Sequence, residues 1–383
     1  MVKVLYDHQI FDLQSHGGVS NGAVQLISNL PSYINVKLGV KRTNNIHLLS
    51  SKIGNVKPFL CTEETFITTS CFWGKARLYN YLRSRFIDLR PWELNRKYSI
   101  KLIESGNYDV FHPTYFFWYF LDYIKSKPFV LTIHDLTPEH FFENKNDTQI
   151  QARNILIEKA AHITVNSKYT RDDVMDYYKV PESRISIIYR GAPSVIPFSK
   201  EKTIPFDYIL YVGARTECYK NFFPMLKHLR PFFEKHESFK LICTGVAFSQ
   251  KEKEVLKEYG LENRVINQFC TREGLMNLYS NAFCFIYPSK SEGFGLPILE
   301  AYQADCPVLL NNASCFPEIA GDAAVFFEIN DKESNLSDQL EQLLAMSSEG
   351  KELLLSKQRE RLLKYSWEDS SRKLADVYKL VCQ

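Results

Sequence analysis

Short runs of β-branched and aromatic residues recur along the chain, and longer stretches with helical periodicity separate them. This alternation is typical of parallel sheets flanked by helices, so the pattern predicts an α/β protein. The runs that predict strands are Val2–Tyr6, Val36–Val40, Tyr108–Phe111, Phe129–His134, His162–Asn166, Ile185–Tyr189, Tyr208–Val212, Lys240–Thr244, Arg264–Phe269, Phe283–Tyr287, Pro307–Asn311 and Ala324–Phe327.

A proline-containing break, Gly191–Pro197, divides these runs into two sets of six. Six strands on each side predict two Rossmann-like domains, since a chain of 383 residues is long enough for its core to divide. We expect the first domain at 1–193, the second at 194–365 and a C-terminal helix at 366–383. Ligands of open α/β sheets bind at the carboxyl ends of the strands, so this arrangement predicts an active site in the cleft between the domains.

The composition is that of an ordinary globular protein, and it excludes several classes. A net charge of +3 is too small to predict nucleic-acid binding. The nine cysteines include no C-x-x-C pair, which argues against a zinc site or a disulfide framework and favours reduced thiols. Asp7 ends the apolar run at the N-terminus too early for a signal peptide. The longest apolar or aromatic run, Tyr115–Leu121, is far shorter than the roughly 20 residues that a membrane-spanning helix needs. We therefore expect a cytoplasmic protein.

A basic and aromatic segment at 73–101 stands apart from this pattern. Eight lysines and arginines lie there against two acidic residues, with Phe, Tyr, Leu and Trp interleaved. Such a segment is typical of a helix on an anionic membrane surface, which would hold the protein at the inner face of the membrane. It is equally typical of a solvated helix packed on its own domain, and the sequence leaves both interpretations open.

The stretch Ser289–Glu300 (SKSEGFGLPILE) carries the clearest chemistry. It follows the predicted strand Phe283–Tyr287, contains a glycine turn, and places Pro297 in the first turn of a helix. The backbone amides of residues 294–296 would then be unpaired at the positive end of the helix dipole, which suits a diphosphate. The same pattern is compatible with a plain helix N-terminus without a ligand.

Two carboxylates occupy this stretch at unequal depths. Glu292 lies in the turn, and Glu300 lies about one turn into the helix. They are placed to hold two sets of hydroxyls, with Glu292 near a sugar and Glu300 near a ribose. A short motif of this kind is a weak signal when it stands alone.

The whole stretch resembles the E-x7-E element of family 4 retaining glycosyltransferases, which have the two-domain GT-B fold. Further motifs similar to those of that family follow the same order along the chain. They are His16–Val19 (HGGV), Thr132–Leu136 (TIHDL), Ala161–Asp172 (AHITVNSKYTRD), Tyr211–Asn221 (YVGARTECYKN), Ser314–Val325 (SCFPEIAGDAAV) and Trp367-Glu368. The resemblance therefore covers nearly the whole chain.

The resemblance implies a first domain that binds the acceptor, a second domain that binds a nucleoside diphosphate sugar, and a last helix that crosses back to the first domain. It implies that His134 contacts the transferred sugar and that Arg215 and Lys220 grip the diphosphate, where developing negative charge needs cations. The catalytic residues it implies are Glu292, His134, Arg215 and Lys220. The donor-binding residues it implies are Gly17, Gly18, Phe269, Cys270, Ser289, Phe294, Gly295, Leu296 and Glu300.

No D-x-D sequence occurs in the chain. In the other large glycosyltransferase fold, acidic residues of that motif hold a divalent cation against the diphosphate. We therefore expect no metal requirement and no cofactor besides the nucleoside diphosphate sugar as co-substrate. The first domain offers no carboxylate nucleophile at a family-matching position, which favours a same-face substitution through an oxocarbenium-like state over double displacement.

Two departures from the family pattern concern the edge of the donor pocket and the hinge. The usual glycine before Pro307 is absent from Ala304-Asp305-Cys306-Pro307. The usual Asn-Gly after the interdomain strand reads Arg190-Gly191. Both departures could alter the edge of the donor pocket or the hinge, so these motifs alone do not assign the sugar that the chain takes from its donor.

Three functions are compatible with these motifs. The first is a retaining glycosyltransferase that acts on a saccharide or lipid-linked saccharide in surface-polysaccharide synthesis. The second is a nucleotide-sugar epimerase or hydrolase of the same fold, which would release nucleoside diphosphate without an acceptor. The third is a non-catalytic regulator that binds sugar nucleotides, against which the complete set Glu292, Glu300, Arg215 and Lys220 argues.

Overall fold

The computed structural model describes residues 1–59, 74–85, 91–142, 147–199, 201 and 204–383. Within them the chain forms two Rossmann-like domains, each a parallel sheet with helices on both faces. The strands are β1 (Val2–Tyr6), β2 (Ile34–Leu38), β3 (Arg42–Thr43), β4 (Lys57–Pro58), β5 (Val110–His112), β6 (Val130–Ile133), β7 (His162–Val165), β8 (Ile185–Ile187), β9 (Tyr208–Tyr211), β10 (Lys240–Thr244), β11 (Val265–Gln268), β12 (Cys284–Tyr287), β13 (Val308–Asn311) and β14 (Val325–Phe327). The helices are α1 (Gln9–Leu13), α2 (Gly18–Ser28), α3 (Ile46–Ser50), α4 (Lys75–Arg85), α5 (Pro91–Glu104), α6 (Thr137–Phe141), α7 (Thr148–Lys159), α8 (Lys168–Tyr178), α9 (Phe222–Lys235), α10 (Gln250–Glu258), α11 (Arg272–Asn281), α12 (Leu296–Gln303), α13 (Phe316–Ala320), α14 (Leu336–Ala345), α15 (Ser348–Leu362) and α16 (Trp367–Val381).

The first sheet has the strand order β2-β1-β5-β6-β7-β8, and all of its strands are parallel. A bridge between Phe111 and Phe129 joins its two halves. Neighbouring residues of a strand face opposite cores: Val4 packs with α2 and α16, and Leu5 packs with α5 and α7. Both faces are therefore covered, as parallel sheets require.

The second sheet is also parallel, with the order β11-β10-β9-β12-β13-β14. Leu210 faces a core shared with α11 and α12, while Tyr211 faces a core shared with α9 and α14. In this order β9 and β12 are neighbours at the centre of the sheet, so the loops after them start close together. Those loops carry several of the predicted site residues.

The twelve strands predicted from the hydrophobic pattern are all present, which confirms the α/β class and the two Rossmann-like domains. β2 begins and ends two residues earlier than predicted, because its pairing with β1 stops at Leu38 opposite Tyr6 while the apolar pattern continues to Val40. The pair β3 and β4 was not predicted. Each has only two residues, too few to show an alternation of apolar and polar positions.

The last helix, α16, crosses back to the first domain as predicted. At its start the indole of Trp367 donates to the carbonyl oxygen of Ala192 at 2.8 Å, and Ser371 donates to a carbonyl oxygen of α2 at 2.8 Å. Near its end Tyr378 is fully buried, and its hydroxyl lies 2.6 Å from Nδ1 of His112 in β5. The helix is thus part of the core of the first domain.

His112 makes the stability of the first domain depend on pH. Its Nε2 lies 2.8 Å from the hydroxyl of Thr132, and burial lowers the pKa of His112 to about 3. Because this folded-state pKa lies below that of an exposed histidine, about 6.5, the unfolded chain takes up the proton first as the pH falls. We expect this residue alone to lower the free energy of unfolding by about 1.4 kcal/mol per pH unit between about pH 6.5 and 4.5. Urea unfolding at several pH values in that range should show that the free energy of unfolding depends less steeply on pH in His112→Gln than in the wild type. An equal pH dependence in the two proteins would contradict the prediction.

The basic segment at 73–101 includes α4 and α5, while Trp73 and residues 86–90 lie outside the described residues. α5 is packed on the first domain: Asn95 accepts from the amide of Lys41 at 2.9 Å, and Ser99 donates to the carbonyl oxygen of Gly39 at 2.8 Å. This half of the segment fits a helix packed on its own domain. Membrane contact by the other half stays a proposal. In the part of the chain that the structure describes, no helix is both long and apolar enough to span a bilayer.

Candidate active site

A cavity of about 230 Å³ lies between the two domains. The first domain lines it with Gln14, Gly18, Val19, His134, Asp135, Asn166 and Arg190, and the second with Tyr287 and residues 292–297. Most of these residues follow the carboxyl end of a strand, where open α/β sheets bind their ligands. The predicted site residues that the structure brings together here are Gly18, His134, Glu292, Phe294, Gly295 and Leu296.

The turn between β12 and α12 is shaped to receive an anion. Gly295 precedes the helix with φ +85°, in the left-handed region, and a Cβ there would crowd the side chains of Ile298 and Phe316. Pro297 lies in the first turn of the helix, as predicted. Among the described residues, no acceptor hydrogen-bonds the amides of residues 294–296, so these donors are available to a ligand. Together with the helix dipole they form a site suited to a phosphate.

Glu292 and Lys220 form an ion pair beside this turn. The distance from Lys220 Nζ to Glu292 Oε1 is 2.6 Å, and the two side chains are 13% and 15% exposed. The ring of Tyr287 lies 5.8 Å from the same Nζ. Lys220 therefore contacts a residue that lines the cavity, Glu292, although the two residues are 72 positions apart in the sequence.

The two domains touch at Gly293. A Cβ at this position would collide with the backbone carbonyl oxygen of His134 in the first domain. Close by, the hydroxyls of Thr137 and Ser291 lie 3.3 Å apart. Glu318 of the second domain accepts a hydrogen bond from the first amide of α8 at 2.8 Å. These contacts set the distance between the turn before α12 and the loop after β6.

The first-domain side of the cavity is organised around His134. Its Nδ1 lies 3.0 Å from a guanidinium nitrogen of Arg190 and 3.3 Å from the amide nitrogen of Asn166. Because both neighbours are N–H donors, we assign Nδ1 as the acceptor and place the ring proton on Nε2. Burial, and then the charge of Arg190, hold the pKa of His134 well below its usual range, so the ring is neutral. A neutral imidazole of this kind can donate a hydrogen bond to a sugar hydroxyl.

Three other predicted donor-binding residues lie one turn into α12, at Glu300, and in the loop before α11. Oε2 of Glu300 accepts from the hydroxyl of Tyr279 at 3.4 Å. Burial raises the pKa of Glu300, while Arg272 and the Tyr279 bond act in the opposite direction. Phe269 and Cys270 lie in the loop just before α11, which begins at Arg272; the ring of Phe269 is 83% exposed. Glu300, Phe269 and Cys270 do not line the cavity.

Arg215 lies away from the cavity. It is buried, with its Nε 2.5 Å from Oε1 of Glu252, and it donates to the carbonyl oxygens of Thr244 and Val246 at 3.0 and 2.6 Å. Glu252 belongs to the capping box at the start of α10, so the guanidinium ties the loop after β10 to that helix. The direct contact with a diphosphate predicted for Arg215 stays a prediction, since the residue is buried and does not line the cavity.

Gly17 and Ser289 stand next to the cavity without lining it. Gly17 precedes α2 and lies against the side-chain amide of Gln14, which accepts from the amide of Ser20 at 3.1 Å. The carbonyl oxygen of Ser289 accepts from Asn311 at 3.1 Å, and its buried hydroxyl has no partner among the described residues. Both residues shape the backbone that borders the cavity.

Asp135, Asn166 and Arg190 line the cavity, although none of them is among the predicted site residues. They follow β6, β7 and β8, so their position after a strand was the available signal. Arg190 is noticed in the sequence only as a departure from a family pattern at the hinge. Its contact with His134 depends on the packing of two strands and becomes visible only in the structure.

Two parallel α/β domains that meet beside the N-terminus of α12, with a last helix that returns to the first domain, are the architecture of GT-B glycosyltransferases. The family described as "Glycosyl transferases group 1" matches residues 196–366, and "Glycosyltransferase Family 4" matches residues 72–194. The two matched ranges lie side by side and together cover most of the chain. By these matches the chain is similar to glycosyltransferases of family 4.

Individual relatives agree with this class. O-antigen chain mannosyltransferase B of Escherichia coli is 28% identical over 66% of this chain and 70% of its own length. O-antigen chain mannosyltransferase RfbU of Salmonella typhimurium is 25% identical over 53% of this chain and 58% of its own length, so the match spans a little over half of that relative. The crystal structure of HepE from Anabaena in complex with UDP and glucose has a TM-score of 0.69 at 16% identity, covering 99% of this chain and 100% of that one. This likeness confirms the GT-B fold.

Proposed function

We propose that the protein is a retaining glycosyltransferase that moves a sugar from a nucleoside diphosphate sugar to a saccharide or lipid-linked saccharide acceptor. The observation that carries the proposal is the interdomain cavity, where the unpaired amides of residues 294–296 meet His134 and the Glu292–Lys220 pair. The names of the two O-antigen relatives favour mannose as the sugar and a surface polysaccharide as the product.

In this proposal the second domain holds the donor. The diphosphate lies against the N-terminus of α12, where dipole and free amides attract an anion. The sugar lies toward Glu292 and His134, and the nucleoside lies toward Glu300 and the Phe269–Cys270 loop. Glu300 accepts from the ribose hydroxyls, which replace part of the hydration that burial removes from its carboxylate.

The transfer takes place on one face of the sugar ring. The bond between the anomeric carbon and the phosphate oxygen breaks, and the acceptor oxygen forms its bond from the same side. The acceptor proton passes to the departing diphosphate, whose growing charge is stabilised by Lys220 and the helix amides. His134 donates through Nε2–H to a hydroxyl of the sugar, and Glu292 orients the sugar without attacking it.

We propose that this chemistry proceeds without a metal ion. Among the described residues, no group of three or more His, Cys, Asp or Glu side chains is arranged to hold one. The charge that faces the diphosphate would then come from protein groups alone. We also propose a cytoplasmic location, with α4 in contact with the inner face of the membrane when the acceptor is lipid-linked.

A donor screen followed by a transfer assay tests the proposal. GDP-mannose is expected to raise the melting temperature of the full chain more than other nucleotide sugars, since a ligand at 100 times its Kd stabilises by about 2.7 kcal/mol. GDP release should then depend on a polyprenyl-diphosphate-linked saccharide, and NMR of the product should show the donor's anomeric configuration.

Each alternative gives a different result in the same assay. Equal GDP release with and without acceptor would assign a hydrolase, and recovery of an isomeric nucleotide sugar would assign an epimerase. Tight donor binding without turnover for any acceptor would assign a regulator. A product with the inverted anomeric configuration would support a glycosyltransferase but contradict the retaining mechanism.

A further inference from the structure

Arg190 is a buried guanidinium without an anionic partner. Its side chain is 4% exposed, in the loop that follows β8. Among the described residues, its hydrogen bond is the 3.0 Å contact to the neutral ring of His134, and no carboxylate there forms an ion pair with it. Burial lowers the pKa of Arg190 to about 10, which leaves it charged at neutral pH. A buried charge without compensation destabilises a fold, so its presence indicates an anion that arrives with a ligand.

The fold holds this guanidinium in place by several contacts. A Cβ at Gly22 of α2 would collide with it, so the glycine makes the space that the side chain fills. The backbone behind it is fixed as well: Gly191 packs against the ring of Trp367, and the indole of Trp367 donates to Ala192 at 2.8 Å. Two helices, α2 and α16, therefore position Arg190 at the edge of the cavity.

The other cations predicted for the site each have a carboxylate partner, whereas Arg190 has none among the described residues. Lys220 is paired with Glu292 at 2.6 Å, and Arg215 is paired with Glu252 at 2.5 Å. Among the described residues that line the cavity, Arg190 is the single arginine or lysine. The amides before α12 supply only partial charges, whereas a departing diphosphate needs full positive charge nearby.

We propose that Arg190 binds the sugar-linked phosphate of the donor and the diphosphate that leaves, from the first-domain side of the cleft. This inference rests on the proposed function, because it takes a nucleoside diphosphate as the ligand. One guanidinium nitrogen of Arg190 donates a hydrogen bond to Nδ1 of His134, and the other N–H groups of the planar guanidinium remain available to phosphate oxygens. The diphosphate thus bridges the two domains, between Arg190 and the amides of residues 294–296.

Binding of GDP, UDP, guanosine and uridine to the full chain tests this role by calorimetry. We expect Arg190→Gln to weaken the preferred nucleoside diphosphate about tenfold to a hundredfold, as for the loss of a charged hydrogen bond. Arg190→Lys keeps the charge but loses the planar guanidinium, so it should lose less nucleoside diphosphate affinity than Arg190→Gln. Affinity for the matching nucleoside should stay the same in both variants, because it has no phosphate.

Two further variants separate this role from a structural one. Arg184→Gln is the matched control, since Arg184 bonds the carbonyl oxygens of Ile157 and Ala160 in the same domain, away from the cavity, and should bind as the wild type does. Arg190→Met replaces the uncompensated charge by an apolar chain. Without ligand it should melt no lower than the wild type, and GDP or UDP should raise its melting temperature less.

The binding results distinguish a failure of the role given to Arg190 from a failure of the proposed glycosyltransferase function. Equal nucleoside diphosphate affinity in Arg190→Gln and the wild type would overturn this inference and leave the proposed function standing. Equal losses for nucleoside and nucleoside diphosphate would assign Arg190 a purely structural role and also overturn it. If neither GDP nor UDP bound the wild type, the proposed function would fall and this inference with it.

Discussion

Replacing Glu292 by glutamine is expected to lower the kcat of sugar transfer by about a hundredfold to a thousandfold, the usual loss when a preorganised electrostatic group is removed. The neutral amide has the same shape but cannot offset the positive charge that develops on the sugar ring. Lys220, which lies 2.6 Å from Glu292, loses its anionic partner at the same time. Its charge then becomes available to the diphosphate, so GDP or UDP affinity should stay equal or rise. Steady-state kinetics and calorimetry measure the two effects separately.

The control for this variant is Glu258→Gln, an exposed glutamate at the end of α10. It makes the same chemical change far from the cavity and should keep the wild-type kcat. A Glu292→Gln enzyme with kcat within about threefold of the wild type would contradict the electrostatic role that we give the carboxylate. A covalent glycosyl adduct trapped on Glu292 would show that it attacks the sugar, which the proposed mechanism excludes.

The fold was most predictable at the two central strands of the second sheet, which are buried on both faces and consist of apolar residues. Tyr208–Tyr211 and Cys284–Tyr287 are buried at every position, and both stand out in the sequence as short continuous runs. β3 and β4 have no such signal, since they exist only through their pairing with each other. In α5 the polar residues Asn95 and Ser99 are buried, because backbone groups of another segment satisfy them, and no periodicity of the helix reveals this.

The candidate site was predictable where it is built by local backbone. Gly295 and Pro297 set the turn and the helix start by themselves, so the available amides follow from the sequence. The partners of charged side chains are different, because they come from distant segments. Glu252, which pairs with Arg215, is 37 positions away, and the neutral His134, which accepts from Arg190, is 56 positions away. A motif therefore gives the position of a charged residue but not the residues that it contacts.

The contact between the domains leads to a second strong effect, at Gly293. We expect Gly293→Ala to lower kcat/KM for transfer by about a hundredfold or more, since a misplacement of about 1 Å at a reacting centre has that effect. The three heavy atoms nearest to the added Cβ belong to His134 and Asp135 of the first domain, and the carbonyl oxygen of His134 would collide with it. Because the closest clash is with the first domain, we expect both domains to fold while their separation increases. Transfer kinetics, melting temperature and small-angle scattering measure these three quantities.

Gly350→Ala is the matched control for this prediction. Its Cβ would meet the side chains of Met346 at 2.8 Å and Ser347 at 3.5 Å, in the first turn of α15 and away from the residues that line the cavity. We expect it to keep wild-type kcat/KM and to melt no lower, because alanine favours the helix by up to about 1 kcal/mol over glycine. Transfer by Gly293→Ala at the wild-type rate would contradict the role of this contact. It would mean that His134 and Glu292 act without the close approach that a glycine permits, and the sugar would then have to be held by one domain alone.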